Sequence, residues 1–170
     1  KILKFFSKYN NEKEKELTII PYNNYGSNQF VYEKNFYYKV LKNSNIKYQF
    51  IKKSNFYDSY KILNKFNIIF GIQSTLLYES MSRGNKTAFF NYFQNYGVQG
   101  YDFGYPLKKK ESKISTNKMN QNNFDRIMDY LIKIKKNDWV NENKFFFKKI
   151  LHFDERNKKM KKILLKMQDK

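Results

Sequence analysis

The sequence has no cysteine and a single histidine, His152. Without thiols there are no disulfides, no thiolate zinc sites and no cysteine nucleophile. One imidazole cannot build a histidine-based metal cluster, and an ordinary Ser-His triad exists only if His152 serves it. That residue sits beside Leu151 and Phe153 on a helical pattern, where a structural role outweighs a catalytic one. Carboxylates are scarce as well: 15 Asp+Glu stand against 34 Lys+Arg, a formal charge of +19. No apolar run is long enough to span a bilayer, and no charged segment followed by an apolar one opens the chain. The chain starts at Lys1 and runs at once into Leu3, Phe5 and Phe6, an opening expected of a tail or processed piece of a longer polypeptide.

What is present is enough for one core. With 170 residues and 41% hydrophobic content, one domain is the default. The surplus of positive charge has two readings. It suggests nucleic acid or an anionic membrane surface. It also follows from composition alone, because Lys, Asn, Ile, Phe and Tyr dominate and all have codons rich in A and T. A nucleic-acid-binding module is the rival functional class, supported by the charge and by 19% aromatic residues. Against it, the aromatics fall mostly at core-like spacing, the Lys residues are scattered, and no nucleic-acid motif is present.

Apolar runs alternate with helical patterns. Leu17-Thr18-Ile19-Ile20 is a short β-rich run ended by Pro21, followed by an Asn- and Gly-rich loop from Tyr22 to Asn28. Phe30, Tyr37, Val40 and Leu41 recur at helical spacing, and Ile46 to Ile51 alternates as a strand. Tyr57, Tyr60, Ile62, Leu63 and Phe66 suggest a short helix. The order β-α-β-α-β-α-β predicts a doubly wound parallel sheet with strands near 17–21, 46–52, 67–71 and 86–91. Residues 91–113 read as irregular. Beyond Asn122 the pattern turns helical, with stripes at Phe124, Ile127, Met128, Leu131 and Ile134, at Trp139 and Phe145 to Phe147, and at Met160, Ile163, Leu164 and Met167. The last of these suits a helix packed on the domain with lysines facing water better than a membrane-surface helix.

The most informative stretch is Ile68 to Asn91. An apolar run stops at Gly71, Ser74 and Thr75 open an amphipathic segment, Gly84 closes it, and Ala88-Phe89-Phe90 follows. This is a strand-helix-strand unit. The hydroxyls and unpaired N–H groups of such a helix start, with the positive end of the helix dipole, make an anion site. Residues 73 to 79 are therefore expected to hold a phosphorylated ligand. Glu79 lies four residues after Thr75, on the same helical face. The bland readings are helix capping by Ser74 and Thr75 and an i,i+4 pair of Glu79 with Arg83. Further loop candidates are Tyr22, Asn23 and Asn24 after the first strand, and Lys53, Ser54 and Asn55 after the second, although generic loop polarity explains these equally well.

Gln73-Ser74-Thr75-Leu76-Leu77-Tyr78-Glu79, with Arg83-Gly84-Asn85-Lys86 and Phe89-Phe90, resembles the "STLGYEALARGKK…FF" signature of a family of bacterial surface carbohydrate biosynthesis proteins related to nucleotide-sugar-dependent GT-B glycosyltransferases. Phe103-Gly104-Tyr105-Pro106 resembles its "FGWP", Ser115-Thr116-Asn117 its "FWTN", and Phe153 to Asn157 its "YDPGN"; Trp139 falls where the family has a Trp. The blocks cover roughly residues 67 to 160. Leu77 replaces the family's Gly, Ser112-Lys113-Ile114 stands in place of part of the third block, and Arg156 stands where Gly is usual.

The resemblance implies the donor-binding half of a GT-B enzyme, a Rossmann-like fold, with residues 1–120 as the nucleotide-sugar-binding domain and 121–170 as helices packed on it. It implies that Gln73, Ser74 and Thr75 hold the donor phosphates and that Glu79 accepts bonds from the ribose. No cofactor or metal is implied beyond the nucleotide-sugar. The implied partners are a glycan or lipid-linked acceptor and an upstream GT-B domain, which would supply the general base; none is identified in this chain, which alone is expected to be inactive. The implied location is cytoplasmic, with peripheral attachment at the inner face of the membrane left open and nucleic acid disfavoured; a non-catalytic scaffold that has kept the GT-B shape is the second rival.

Overall fold

In the computed structural model, which describes residues 1–10, 13–55, 57–72, 74–91, 112–150 and 158–168, all pairing between strands is parallel. β1 (Leu17–Ile19) pairs with β2 (Tyr48–Phe50), Leu17 opposite Tyr48 and Ile19 opposite Phe50. β3 (Ile68–Gly71), β4 (Lys86–Phe90) and β5 (Ser115–Thr116) form a second ladder with β4 central. The four strands expected from the apolar runs are thus present, each shorter than expected and only the second trimmed at both ends. Pro21 helps end the first, having no N–H to extend a ladder. Among the described residues the hydrogen bonding falls into two ladders rather than one continuous sheet.

Between the strands lie the helices. α1 (Ile2–Asn10) precedes β1 and was not among the expected elements, although Ile2, Leu3, Phe5, Phe6 and Tyr9 recur at helical spacing. α2 (Asn28–Leu41) starts at Ser27, whose hydroxyl accepts from Phe30 N–H at 3.1 Å. α3 (Asp58–Ile62) runs into a 3-10 turn at Leu63–Lys65, and α4 (Thr75–Ser82) joins β3 to β4. α5 (Gln121–Lys133), α6 (Lys136–Ile150) and α7 (Lys158–Gln168) complete the chain. The result is a Rossmann-like α/β architecture with a helical C-terminal region.

Phe124 of α5 is the centre of an aromatic core. Its buried ring lies 5.0 Å from that of Phe90 on β4 and about 6 Å from those of Phe5, Tyr9 and Phe70. Each large apolar side chain so buried contributes roughly 1.5–3 kcal/mol over an exposed one. Ile127, Met128 and Leu131 of the α5 stripe are buried with it, Ile134 packs against the edge, and Trp139 of α6 is fully buried. β5 is a second element the sequence did not announce. Its two residues are polar, yet both are buried, and Phe89 N–H to Ile114 O and Asn91 N–H to Thr116 O, each 2.9 Å, bind this segment to β4. In α7 the lysines at 158, 159, 161 and 162 face water, but so do Leu165 and Met167. His152, the Phe103 to Pro106 and Phe153 to Asn157 blocks, and Gln73 lie outside the described residues.

Candidate functional site

The strand-helix junction is shaped by two close packings. Gly71 ends β3 where a Cβ would meet Leu77 Cδ1 at 3.4 Å, so the bare backbone lets the first turn of α4 lie against the strand. At the other end, Gly84 takes φ +85°. Its N–H donates to Met81 O at 2.9 Å, and Asn85 N–H reaches back to Ser80 O at 3.2 Å. This paired closure needs the left-handed conformation that glycine adopts without strain.

Leu77, Ser80 and Met81 form the inward stripe of α4. Below them lies a buried polar network. The Asn85 side-chain amide donates to Ser80 Oγ at 3.3 Å and to Leu63 O at 3.4 Å, and the Thr87 hydroxyl donates to Asn85 O at 3.0 Å. These bonds fix α4 against β4 and the 3-10 turn. The outward stripe is therefore held in place, and it carries Thr75, exposed, and Glu79, half-buried.

At the helix start, Ser74 is the cap residue, in extended conformation (φ −107°, ψ 132°), but its side chain makes no capping bond. Its carbonyl accepts from Leu77 N–H at 3.0 Å. The N–H groups of Thr75 and Leu76 meet no acceptor among the described residues, and neither does the hydroxyl of Ser74 or Thr75. Side-chain capping thus does not account for the pair. Two unpaired donors and two hydroxyls thus stand at the positive end of α4, shortly after β3 ends.

Glu79 has a partner from a neighbouring helix. Tyr60 of α3 donates its phenol hydrogen to Glu79 Oε1 across a long 3.4 Å. The Tyr60 pKa is raised, first by desolvation and then by the adjacent Glu79 carboxylate, with Arg83 opposing. Tyr60 was read in the sequence only as a member of an apolar stripe; contact across helices at a separation of 19 residues leaves no local signal.

The loop candidates form two separate clusters. Glu33 of α2 accepts from Tyr22 N–H at 2.8 Å and from Asn23 N–H and side-chain amide, both at 3.0 Å. Lys53 is only 3% exposed and donates its ammonium hydrogen to Tyr22 O, while Tyr25 N–H donates to Lys53 O at 2.7 Å. Burial lowers the Lys53 pKa and the Glu33 carboxylate opposes that shift. Lys53 is therefore a pin under the loop. Asn24 accepts through its carbonyl from Ser27 N–H and Oγ, at 3.2 and 2.8 Å, shaping the turn into α2.

Ser54 and Asn55 form the entry to α3. Asp58 Oδ2 accepts from Ser54 N–H and Oγ, both 2.9 Å, and from Asn55 N–H at 3.2 Å, and Lys61 adds an ion pair at 3.1 Å. The backbone bond from Ser54 leads the causes that hold the Asp58 carboxyl well below the usual range. Within the described residues, none of the hydrogen bonds of Tyr22, Asn23, Asn24, Lys53, Ser54 or Asn55 reaches the α4 start; Tyr60 is the link from α3 to Glu79. Among the described residues no group of three His, Asp or Glu side chains is placed to hold a metal ion.

Fold and site together define the class as a Rossmann-like α/β protein with an open helix N-terminus after its third strand. A family described as "putative O-antigen biosynthesis protein" matches residues 1–168, so the chain belongs to that family, whose description concerns a bacterial surface polysaccharide. No curated protein and no solved structure matches the chain. Among the described residues no helix is long and apolar enough to cross a membrane.

Proposed function

We propose that the chain is the donor-binding half of a nucleotide-sugar-dependent glycosyltransferase acting in O-antigen assembly. The observation that carries this reading is the start of α4. Ser74 and Thr75 leave their hydroxyls unspent, beside two N–H groups that meet no acceptor among the described residues. A donor pyrophosphate, or the monophosphate of a CMP-sugar, fits such a start. As the glycosyl bond breaks, negative charge grows on the departing phosphate, and N–H groups already oriented toward it stabilise that charge.

Glu79 supplies the second element. Its carboxylate stands one turn along the exposed face from Thr75 and is steadied by the Tyr60 phenol. There it accepts from ribose hydroxyls. The general base and the acceptor, a glycan or a lipid-linked glycan, belong to an N-terminal GT-B domain, so this chain binds donor without turning it over. The reading places the reaction on the cytoplasmic side of the membrane.

Salt separates this reading from nucleic-acid binding. Nucleic-acid affinity falls steeply with salt through counterion release, whereas a small site of helix-terminal N–H groups responds weakly. Nucleotide-sugars and a single-stranded oligonucleotide are titrated at two salt concentrations. Saturable, weakly salt-dependent binding of a nucleotide-sugar is expected. Tight, salt-sensitive oligonucleotide binding with no response to any nucleotide-sugar would overturn the proposal.

A further inference from the structure

α2 carries apolar side chains on both sides. Its inward stripe, Phe30, Tyr37 and Leu41, packs on the domain, with the Phe30 and Tyr37 rings edge-on to Phe50 of β2. The outward half is occupied by Val31, Tyr32, Phe36 and Tyr38, exposed by 51%, 77%, 60% and 60%. A solvated helix face normally carries polar residues there. Exposed Lys34 and Lys39 stand between these side chains. The helix's one carboxylate, Glu33, is committed to the N–H groups of Tyr22 and Asn23. Among the described residues no ion pair engages Lys34 or Lys39.

The face is thus aromatic and cationic, with no free acid of its own. We infer that it docks on an anionic membrane surface. Lysine ammonium groups interleaved with exposed rings match headgroup phosphates above an apolar layer, where Tyr and Phe settle at the interface. The net charge of +19 adds a long-range attraction of the same sign. A nucleic-acid strand would use a basic groove with rings stacked along it. Here the rings project outward around one helix instead. This inference stands on α2 and needs no nucleotide-sugar, so it survives or fails apart from the proposed function.

The test is cosedimentation of the chain with phosphatidylcholine vesicles and with mixed phosphatidylcholine–phosphatidylglycerol vesicles. The chain is expected to bind the mixed vesicles and leave the neutral ones. The Tyr32→Ser/Phe36→Ser double variant should partition about tenfold more weakly, because interfacial binding scales with the apolar area inserted. Both positions are exposed, so an unchanged melting temperature is expected alongside. In a separate Phe36→Trp variant the added indole should shift its emission to the blue with mixed vesicles, against a constant signal from buried Trp139. Wild-type partitioning by the double variant, no binding to mixed vesicles, or no emission shift would each overturn the inference.

Discussion

Tyr9 donates its phenol hydrogen to Asp129 Oδ1 at 2.6 Å, joining α1 to α5 across 120 residues of sequence. Lys13 completes the junction. Its ammonium lies 2.8 Å from the same oxygen and 3.8 Å from the centre of the Tyr9 ring. Next to it, Phe5 and Tyr9 pack their rings on Phe124. The first helix is thereby fastened to the C-terminal region by a polar clasp over an aromatic contact. Tyr9→Phe keeps the ring contact and removes the bond. It should cost about 1 kcal/mol, since the clasp is partly solvated. Urea denaturation of wild type and variant measures it.

Acid should loosen the fold through three carboxylates. The Lys13 bond leads the causes lowering Asp129, the Tyr130 bond leads for Glu142, and the Ser54 N–H leads for Asp58. Each therefore binds its proton less readily in the folded chain than in the unfolded one. Their stabilisation is present above the ordinary carboxylate pKa of about 4 and is lost as pH falls through it toward the lower folded values. Melting temperature should be nearly flat near neutrality and decline below about pH 4, with a shallower decline in Asp58→Asn.

The Glu33 junction can be tested locally. Glu33→Ala removes the acceptor of the Tyr22 and Asn23 N–H groups, which should raise their hydrogen-exchange rates about tenfold for a loss near 1.4 kcal/mol. It also removes the charge opposing desolvation at Lys53, so the Lys53 pKa should fall further. Side-chain NMR of Lys53 follows that titration. Unchanged exchange at Tyr22 and Asn23 would show that the loop holds itself.

The strands of the second ladder were legible because buried parallel strands read as short apolar runs. Ile68-Ile69-Phe70 and Ala88-Phe89-Phe90 announce themselves, and so does the glycine that ends α4. Ser115–Thr116 does not, because two buried polar residues leave neither a run nor an alternation. α1 is only half announced: its spacing is helical, but its apolar residues follow Lys1 directly with no capping residue before them. At the site, the hydroxyls of Ser74 and Thr75 were legible as a helix start. The partners Tyr60, Glu33 and Asp58 were not. Tyr60 is joined to Glu79, and Glu33 to the loop after β1, by folding across elements. Asp58 is close enough in sequence to Ser54 to read as a turn closure, but its multiple bonds appear only in three dimensions.

The central claim is that Ser74, Thr75 and Glu79 form one donor site, and calorimetric titration of nucleoside diphosphate sugars and a CMP-sugar into wild type, Thr75→Val and Glu79→Gln tests it most directly. A hydrogen bond to a charged group is worth about 1.5–3 kcal/mol, so affinity for the bound donor should fall roughly ten- to a hundred-fold in Thr75→Val. In Glu79→Gln the loss should be confined to ligands that carry the ribose, with free pyrophosphate bound as before. Unchanged donor affinity in both variants, with melting temperatures equal to wild type, would contradict the account and leave these residues as the decoration of a structural helix.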